Sequence, residues 1–240
     1  MLVDTPPSYK RFRFPAEIIS HAVWLYHRFP LSFREVEELL LARGIIVSHE
    51  TIHQWCDRFG PEYAASLRRR RPPAGDKWHL DEVFIKVNGA RQYLWRAVDQ
   101  DGNVLDVLVQ SKRDAKAAKR FLAKPMKKQC RAPRVLVTDK CRSYGPAHQH
   151  LMSSVEHRSH KGLNNRAENS HQPARQRERA MKGFRSPRSA QKFLAAFSEI
   201  SPHFRPRHHL LTTSGHRTEM QHRFTIRNHI TGVTAPPAKA

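Results

Sequence analysis

The stretch KWHLDEVFIKVN, Lys77 to Asn88, reads as a buried strand with an acid where an apolar residue belongs. Alternate side chains of a strand share a face, so Asp81 stands with Val83, Ile85 and Val87. The opposite face carries Trp78, Leu80 and Phe84, which marks a central strand covered on both sides. Glu82 and Lys86 also fall on that second face and are placed to pair. Burying a carboxylate without a partner costs several kcal/mol, so Asp81 requires a hydrogen-bonding group, a proton or a metal ion.

Downstream, Asn88-Gly89 supplies a hairpin turn into a second strand, Arg91 to Asp99, and Asp101-Gly102 turns the chain into a third from Val104. An amphipathic helix follows over Arg113 to Lys124, with Ala117, Phe121 and Leu122 toward the core. Beyond Pro133 comes a short apolar strand, Val135 to Val137, ending in Thr138 and Asp139. This order predicts a mixed α/β sheet whose last strand is reached by a crossover helix. A helix near Tyr144 to Met152, a short segment around Val155, the densely polar run from Glu156 to Arg179 and a helix from Ser189 to Ile200 complete the domain.

Upstream, residues 16 to 59 read as three helices. The first, Ala16 to Phe29, ends at Pro30; the second opens on a Ser32/Glu35 capping box and closes at Gly44; the third begins at Ser48. Two short helices around a Gly-containing turn, the second offering His49, Thr51, His53, Gln54 and Arg58, form the pattern of a helix-turn-helix DNA reader or of a plain three-helix bundle. Charge favours DNA. Lys and Arg number 43 against 21 acids, a formal charge of +22 and a pI near 10.8, which suits a polyanionic partner. The resulting division is a helix-turn-helix domain at 1–62, a basic Pro-containing linker at 63–76 with the Arg68–Arg71 run, an α/β domain at 77–205, and a basic tail at 206–240 without clear periodicity.

Three scattered cysteines exclude a disulfide framework and suggest a reducing compartment. The absence of a signal-like apolar run or membrane-length segment leads to the expectation of a soluble cytoplasmic protein.

Open α/β sheets hold their ligands beyond the carboxyl ends of their strands, so Asp139 emerges next to Asp81 if the two strands are neighbours. Two such carboxylates repel unless a cation lies between them, which predicts Mg²⁺ or Mn²⁺. The bland reading of Asp139 is a cap on the following turn. Glu168, in NNRAEN, is a third acid able to complete a two-metal site, or a solvated side chain. Arg175 lies two helical turns further along if that segment is one helix, a condition that Pro173 weakens.

The ordered motifs SHETIHQW, WHLDEVFIKVNG, YLWRAVD, VTDK and EHRSHKGLNNRAEN resemble the IS6 family of bacterial insertion-sequence transposases, a branch of the DDE transposases, over about residues 14–200. The resemblance implies an RNase H-like catalytic core after the helix-turn-helix, with Asp81, Asp139 and Glu168 as the acidic triad holding two Mg²⁺ ions. Arg175 matches the basic residue that the family carries seven positions after the Glu. The interval between Asp139 and Glu168 is shorter than is common in the family. Glu178 is a rival for the third acid but lacks the Asn-Asn-Arg context.

The implied chemistry is DNA strand cleavage at terminal inverted repeats followed by strand transfer into target DNA, by copy-type transposition through cointegrates. His160, Lys161, Asn165 and Arg166 would place the DNA backbone, or else are surface charge in a polar loop. Joining two DNA ends calls for a homodimer or larger oligomer, in a bacterial cytoplasm at the nucleoid. Two alternatives compete: a catalytically inactive, transposase-derived repressor that binds specific DNA, and a zinc protein using His157, His160 and His171.

Overall fold

The computed structural model describes residues 5–206 and 211–233. Its described chain forms two compact units, one taking in the chain up to Arg71 and again from Ala196 onward, the other spanning Pro72–Ala195.

The first unit opens with α1 (Ala16–Arg28), α2 (Phe33–Leu41) and α3 (His49–Arg69). Ser32 accepts the Glu35 N–H while the Glu35 carboxylate accepts the Ser32 N–H, so the capping box is formed. Gly44, at φ +75°, supplies the left-handed residue that turns α2 toward α3, and Ser48 caps α3 by accepting the Thr51 N–H. Ile19, Val23, Val36, Leu40, Ile52, Trp55 and Phe59 are buried between the three. Helix α3 is longer than its sequence suggests. Tyr63, Ala64 and Leu67 extend its buried stripe, so residues 63–69, read as linker, are helical.

The tail also departs from expectation. Helix α8 (Thr213–Thr231), capped by Thr212, occupies a stretch with no apolar period. The Tyr9 hydroxyl donates to the Thr231 carbonyl at 2.8 Å, and Trp24 meets Phe204 and Phe224 edge to face. Arg68 and Arg71 both reach the buried carboxylate of Glu199, so the arginine run is partly structural. Residues 207–210 and 234–240 of the expected tail lie outside the described residues.

The second unit is built on a five-stranded sheet of order β3-β2-β1-β4-β5, from β1 (Lys77–Val87), β2 (Ala90–Asp99), β3 (Val104–Gln110), β4 (Val135–Thr138) and β5 (Glu156–Ser159). The first three strands form an antiparallel meander. Asn88 and Gly89, both at positive φ, make its first turn. Helix α4 (Ala115–Gln129), started by Asp114, crosses to β4, which runs parallel to β1, and α5 (Tyr144–Leu151) leads to β5, parallel to β4. These directions and this order are those of the RNase H-like fold.

One face of the sheet packs Trp78, Leu80, Trp95, Ala97 and Leu105 against Phe121 and Leu122 of α4 and Tyr144 and Ala147 of α5. Helix α6 (Asn165–Ala180) contacts β1 and β2 and presents Ala167, His171, Ala174 and Arg177 as its buried side. It continues through Pro173 without interruption. Helix α7 (Pro187–His203) follows, and its Gln191 side chain satisfies both the Val109 N–H and the Val107 carbonyl of edge strand β3.

Candidate active site

The pairing of β1 with β4 fixes the site. Its last register pair is Leu80 with Thr138, so Asp81 and Asp139 are the next residues on each strand, where β4 stops and β1 continues to Val87. The sheet therefore opens a crevice beside the two acids. Asn164, fully buried, donates its side-chain N–H to the Leu80 carbonyl at 2.7 Å. That bond pins the start of α6 to the same point of β1. One turn later Glu168 reaches a cleft of about 400 Å³ that it lines with Arg113, Asp139, Lys140, Cys141 and Arg142.

Asp81 is 7% exposed, and its Oδ2 lies 3.6 Å from Nε2 of the buried His171 on α6. Burial, followed by the negative charges of Glu82, Asp139 and Glu168, pushes its carboxyl up to about 7. Burial, with Arg96 and Arg175 nearby, holds His171 far below its ordinary value, so the imidazole is neutral and does not compensate Asp81. Asp139 has a divided role. Its Oδ1 accepts the Cys141 N–H at 2.9 Å, the turn-capping bond expected of a strand-end Asp, while its Oδ2 is 3.7 Å from Arg113.

Glu82 points to the other face of β1. Its pairing with Lys86 does not occur. The Arg113 Nε donates to one of its oxygens at 2.5 Å and the buried Tyr144 hydroxyl donates to the other. Burial raises the Glu82 carboxyl, opposed by the bond from Tyr144. Among the described residues, the metal-type donors converging within 4.8 Å of one another are Glu82, Asp139 and Cys141. Burial pushes the Cys141 thiol up, leaving a protonated sulfur that is a poor ligand for a soft metal. Asp81, Asp139 and Glu168 do not form so tight a group. Their carboxylate oxygens nevertheless are the donors a hard divalent cation such as Mg²⁺ takes.

The structure separates the remaining candidates. Asn165 and Arg166 are exposed at the start of α6, with the Arg166 guanidinium near the turn at Gly102. His160 is exposed and its Nδ1 accepts the Gly162 N–H, while the Lys161 side chain lies outside the described residues. Arg175 lies exposed two turns beyond Glu168, beside Phe84 and Lys86. In the first unit, His53, Gln54 and Arg58 are exposed on α3 and Thr51 is half-buried beside Gln54 and Arg11. Arg58 pairs with Glu62, and His49 lies between Glu37 and Glu50. The three histidines of the zinc alternative go to different places: His171 beside Asp81, His157 against Thr138 and His148, and His160 on the loop. Arg113, Tyr144, Asn164 and the Asp81–His171 contact were not anticipated. For His171 a signal existed, since it lies three residues after Glu168 on the same helical face.

The DDE domain of IS240-type transposases matches residues 75–207. The transposase for insertion sequence element IS257 in transposon Tn4003, from Staphylococcus aureus, is 33% identical over 168 residues, covering 68% of this chain and 74% of that protein. Among solved structures, the simian T-cell lymphotropic virus intasome in complex with PP2A regulatory subunit B56 gamma aligns with a TM-score of 0.41 at 16% identity, covering 71% of this chain and 59% of that one. The HTLV-2 integrase catalytic core domain in complex with magnesium aligns with a TM-score of 0.41 at 15% identity, covering 65% and 99%. With the DDE domain matched over more than half of the chain and a third of the 168 aligned residues identical to the IS257 transposase, the chain belongs to the IS6 family of DDE transposases.

Proposed function

We propose that this chain is an active insertion-sequence transposase that binds terminal inverted repeats and catalyses Mg²⁺-dependent strand cleavage and strand transfer, with Asp81, Asp139 and Glu168 as the metal-holding acids. The observation that carries this reading is the register that ends β4 pairing at Leu80 and Thr138, with α6 tied to the same carbonyl, so that Asp81 and Asp139 follow directly on paired residues and Asp139 shares a cleft with Glu168. Two Mg²⁺ ions, or Mn²⁺ in their place, would activate the attacking oxygen and stabilise the leaving oxygen of an in-line displacement.

The chain's own residues supply the rest. The rigid sheet holds Asp81 in place, the Cys141 N–H orients Asp139, and Asn164 fixes the helix that delivers Glu168. Arg113, Lys140 and Arg142 on the cleft wall attract the DNA phosphate. His160, Asn165, Arg166 and Arg175 would contact the backbone further out. In the first unit, Thr51, His53, Gln54 and Arg58, with His49, would read the repeat in the major groove. Two DNA ends require at least two copies of the chain, working at the bacterial nucleoid.

The test is nicking of a duplex carrying the inverted repeats that flank the gene. Wild-type protein should nick it with Mg²⁺ and not with EDTA, and Asp139→Asn should bind but not nick. Normal nicking by Asp139→Asn overturns the catalytic assignment. Specific binding without cleavage under any divalent metal would instead identify an inactive, repressor-like DNA binder.

A further inference from the structure

Phe84 is a large aromatic on the central strand of the sheet, yet it is 56% exposed. Because β4 ends at Thr138, the length of β1 beyond Asp81 has no sheet partner on that side. In its place stand Arg175, Glu178 and Arg179 of α6 and the turn Lys182-Gly183, which with Phe84 and Lys86 line a groove of about 320 Å³. The turn is held against the strand: the Phe184 N–H donates to the Lys86 carbonyl and the Asn88 N–H to the Phe184 carbonyl. Lys182 and Gly183 take positive φ to make it. Glu178, the acid of the groove, has a structural bond, accepting the Lys86 N–H at 2.7 Å. The Arg91 guanidinium lies over the ring, 5.2 Å from its centroid.

The result is an open aromatic surface with five cations around it and one carboxylate engaged with backbone. A ligand that satisfies both features carries regularly spaced negative charges and planar rings, which describes an unpaired nucleic acid strand. Placement narrows this further. Phe84 lies three residues beyond Asp81 on β1, about 10 Å at ~3.3 Å per residue, and Arg175 lies seven beyond Glu168 on α6, about 10 Å at ~1.5 Å per residue. Strand and helix thus lead away from the acids by equal steps, about three nucleotides at ~3.4 Å each.

We propose that this groove binds the unpaired DNA strand next to the reacting phosphodiester, with one base stacked on Phe84 and its phosphates on Lys86, Arg175, Arg179 and Lys182. The site rests on the transposase reading for its substrate but not for its chemistry. An apolar platform placed there holds open the strand end that the crevice must receive. The cations hold its backbone without regard to sequence.

The test uses the full chain, without divalent metal, and a short fluorescein-labelled single-stranded oligodeoxynucleotide followed by anisotropy. Phe84→Ala should weaken binding by about 5- to 150-fold, the range for loss of one stacked base, and Phe84→Tyr should restore it. An oligonucleotide with abasic sites at its centre should bind wild type and Phe84→Ala alike. Arg179→Ala should lower the dependence of log affinity on log salt by about 0.7, with or without bases. Equal affinity of wild type and Phe84→Ala for the base-containing strand overturns the proposal, as does tighter binding of polyglutamate than of the oligonucleotide. Since nothing is cleaved, failure here leaves Mg²⁺-dependent nicking standing, and failure of the Asp139→Asn nicking test leaves this binding intact.

Discussion

Asp81 and Glu82 are neighbours on one strand, both 7% exposed, and they face opposite environments. Behind the strand, Glu82 has an arginine on one oxygen and a tyrosine hydroxyl on the other, which offset part of the cost of burial that raises its carboxyl. In front, Asp81 meets a neutral histidine, and its carboxyl is pushed up to about 7 by burial and then by the charges of Glu82, Asp139 and Glu168. The same fold gives one buried carboxylate two partners and leaves the adjacent one short of a counter-charge. The contrast separates an acid tied into the structure from one whose charge the proposed metal site would offset.

Exchanging charge for an amide on each side should produce the largest difference. On the proposed assignment Asp81→Asn removes a metal-holding oxygen and should reduce Mg²⁺-dependent nicking by about 10³-fold or more, because a divalent ion contributes several kcal/mol to charge stabilisation. Glu82→Gln, whose oxygens are already engaged, should retain more than about a tenth of the wild-type rate. Single-turnover nicking rates measure both, and equal losses would erase the distinction.

Stability should divide the other way. Glu82→Ala leaves the buried Tyr144 hydroxyl unsatisfied, whereas Arg113, 43% exposed, can turn to water; the expected loss is about 2–3 kcal/mol in urea denaturation at neutral pH.

The smallest effect concerns Asp81 in metal-free protein. A carboxyl raised from 3.8 to about 7 keeps its proton in the folded state over a range where the unfolded chain has lost it. Stability therefore falls as pH rises from about 4 to 7, and the full cost is present above 7. Asp81→Asn should be about 1–2 kcal/mol more stable than wild type at pH 8 and equal to it at pH 4, and saturating Mg²⁺ should reverse the order at pH 8. A variant no more stable than wild type at pH 8 would mean that Asp81 already has its counter-charge.

Local chemistry made much of the architecture legible. Asn88-Gly89 and Asp101-Gly102 announce the meander, Ser32 and Glu35 announce α2, and the apolar Val135 to Val137 announces β4. Helix α6 was harder to read. Its buried side is Ala167, His171, Ala174 and Arg177, without a large aliphatic side chain, and Pro173 lies in its middle. Small and polar side chains on a buried face leave no apolar period in the chain, and α8, with few buried residues, escapes detection for the same reason. The Lys86 partner expected for Glu82 fits strand alternation, but Arg113 and Tyr144, brought in by other elements, occupy both oxygens.

The sequence by itself determined which acids stand out: Asp81 on an apolar strand face, Asp139 at a strand end, Glu168 in its Asn-Asn-Arg setting. Asp81 follows from the two-residue period of a strand and Asp139 from the end of an apolar run, while the weight on Glu168 comes from the resemblance of its motif to the IS6 family. Only the tertiary structure decided that Asp139 and Glu168 share a cleft, that Asn164 ties α6 to the Leu80 carbonyl beside Asp81, and that Glu82 has Arg113 and Tyr144 on its oxygens while Asp81 has neither. Those outcomes depend on register and on contacts between segments far apart in sequence, where packing of the whole sheet chooses among partners that local rules leave equivalent.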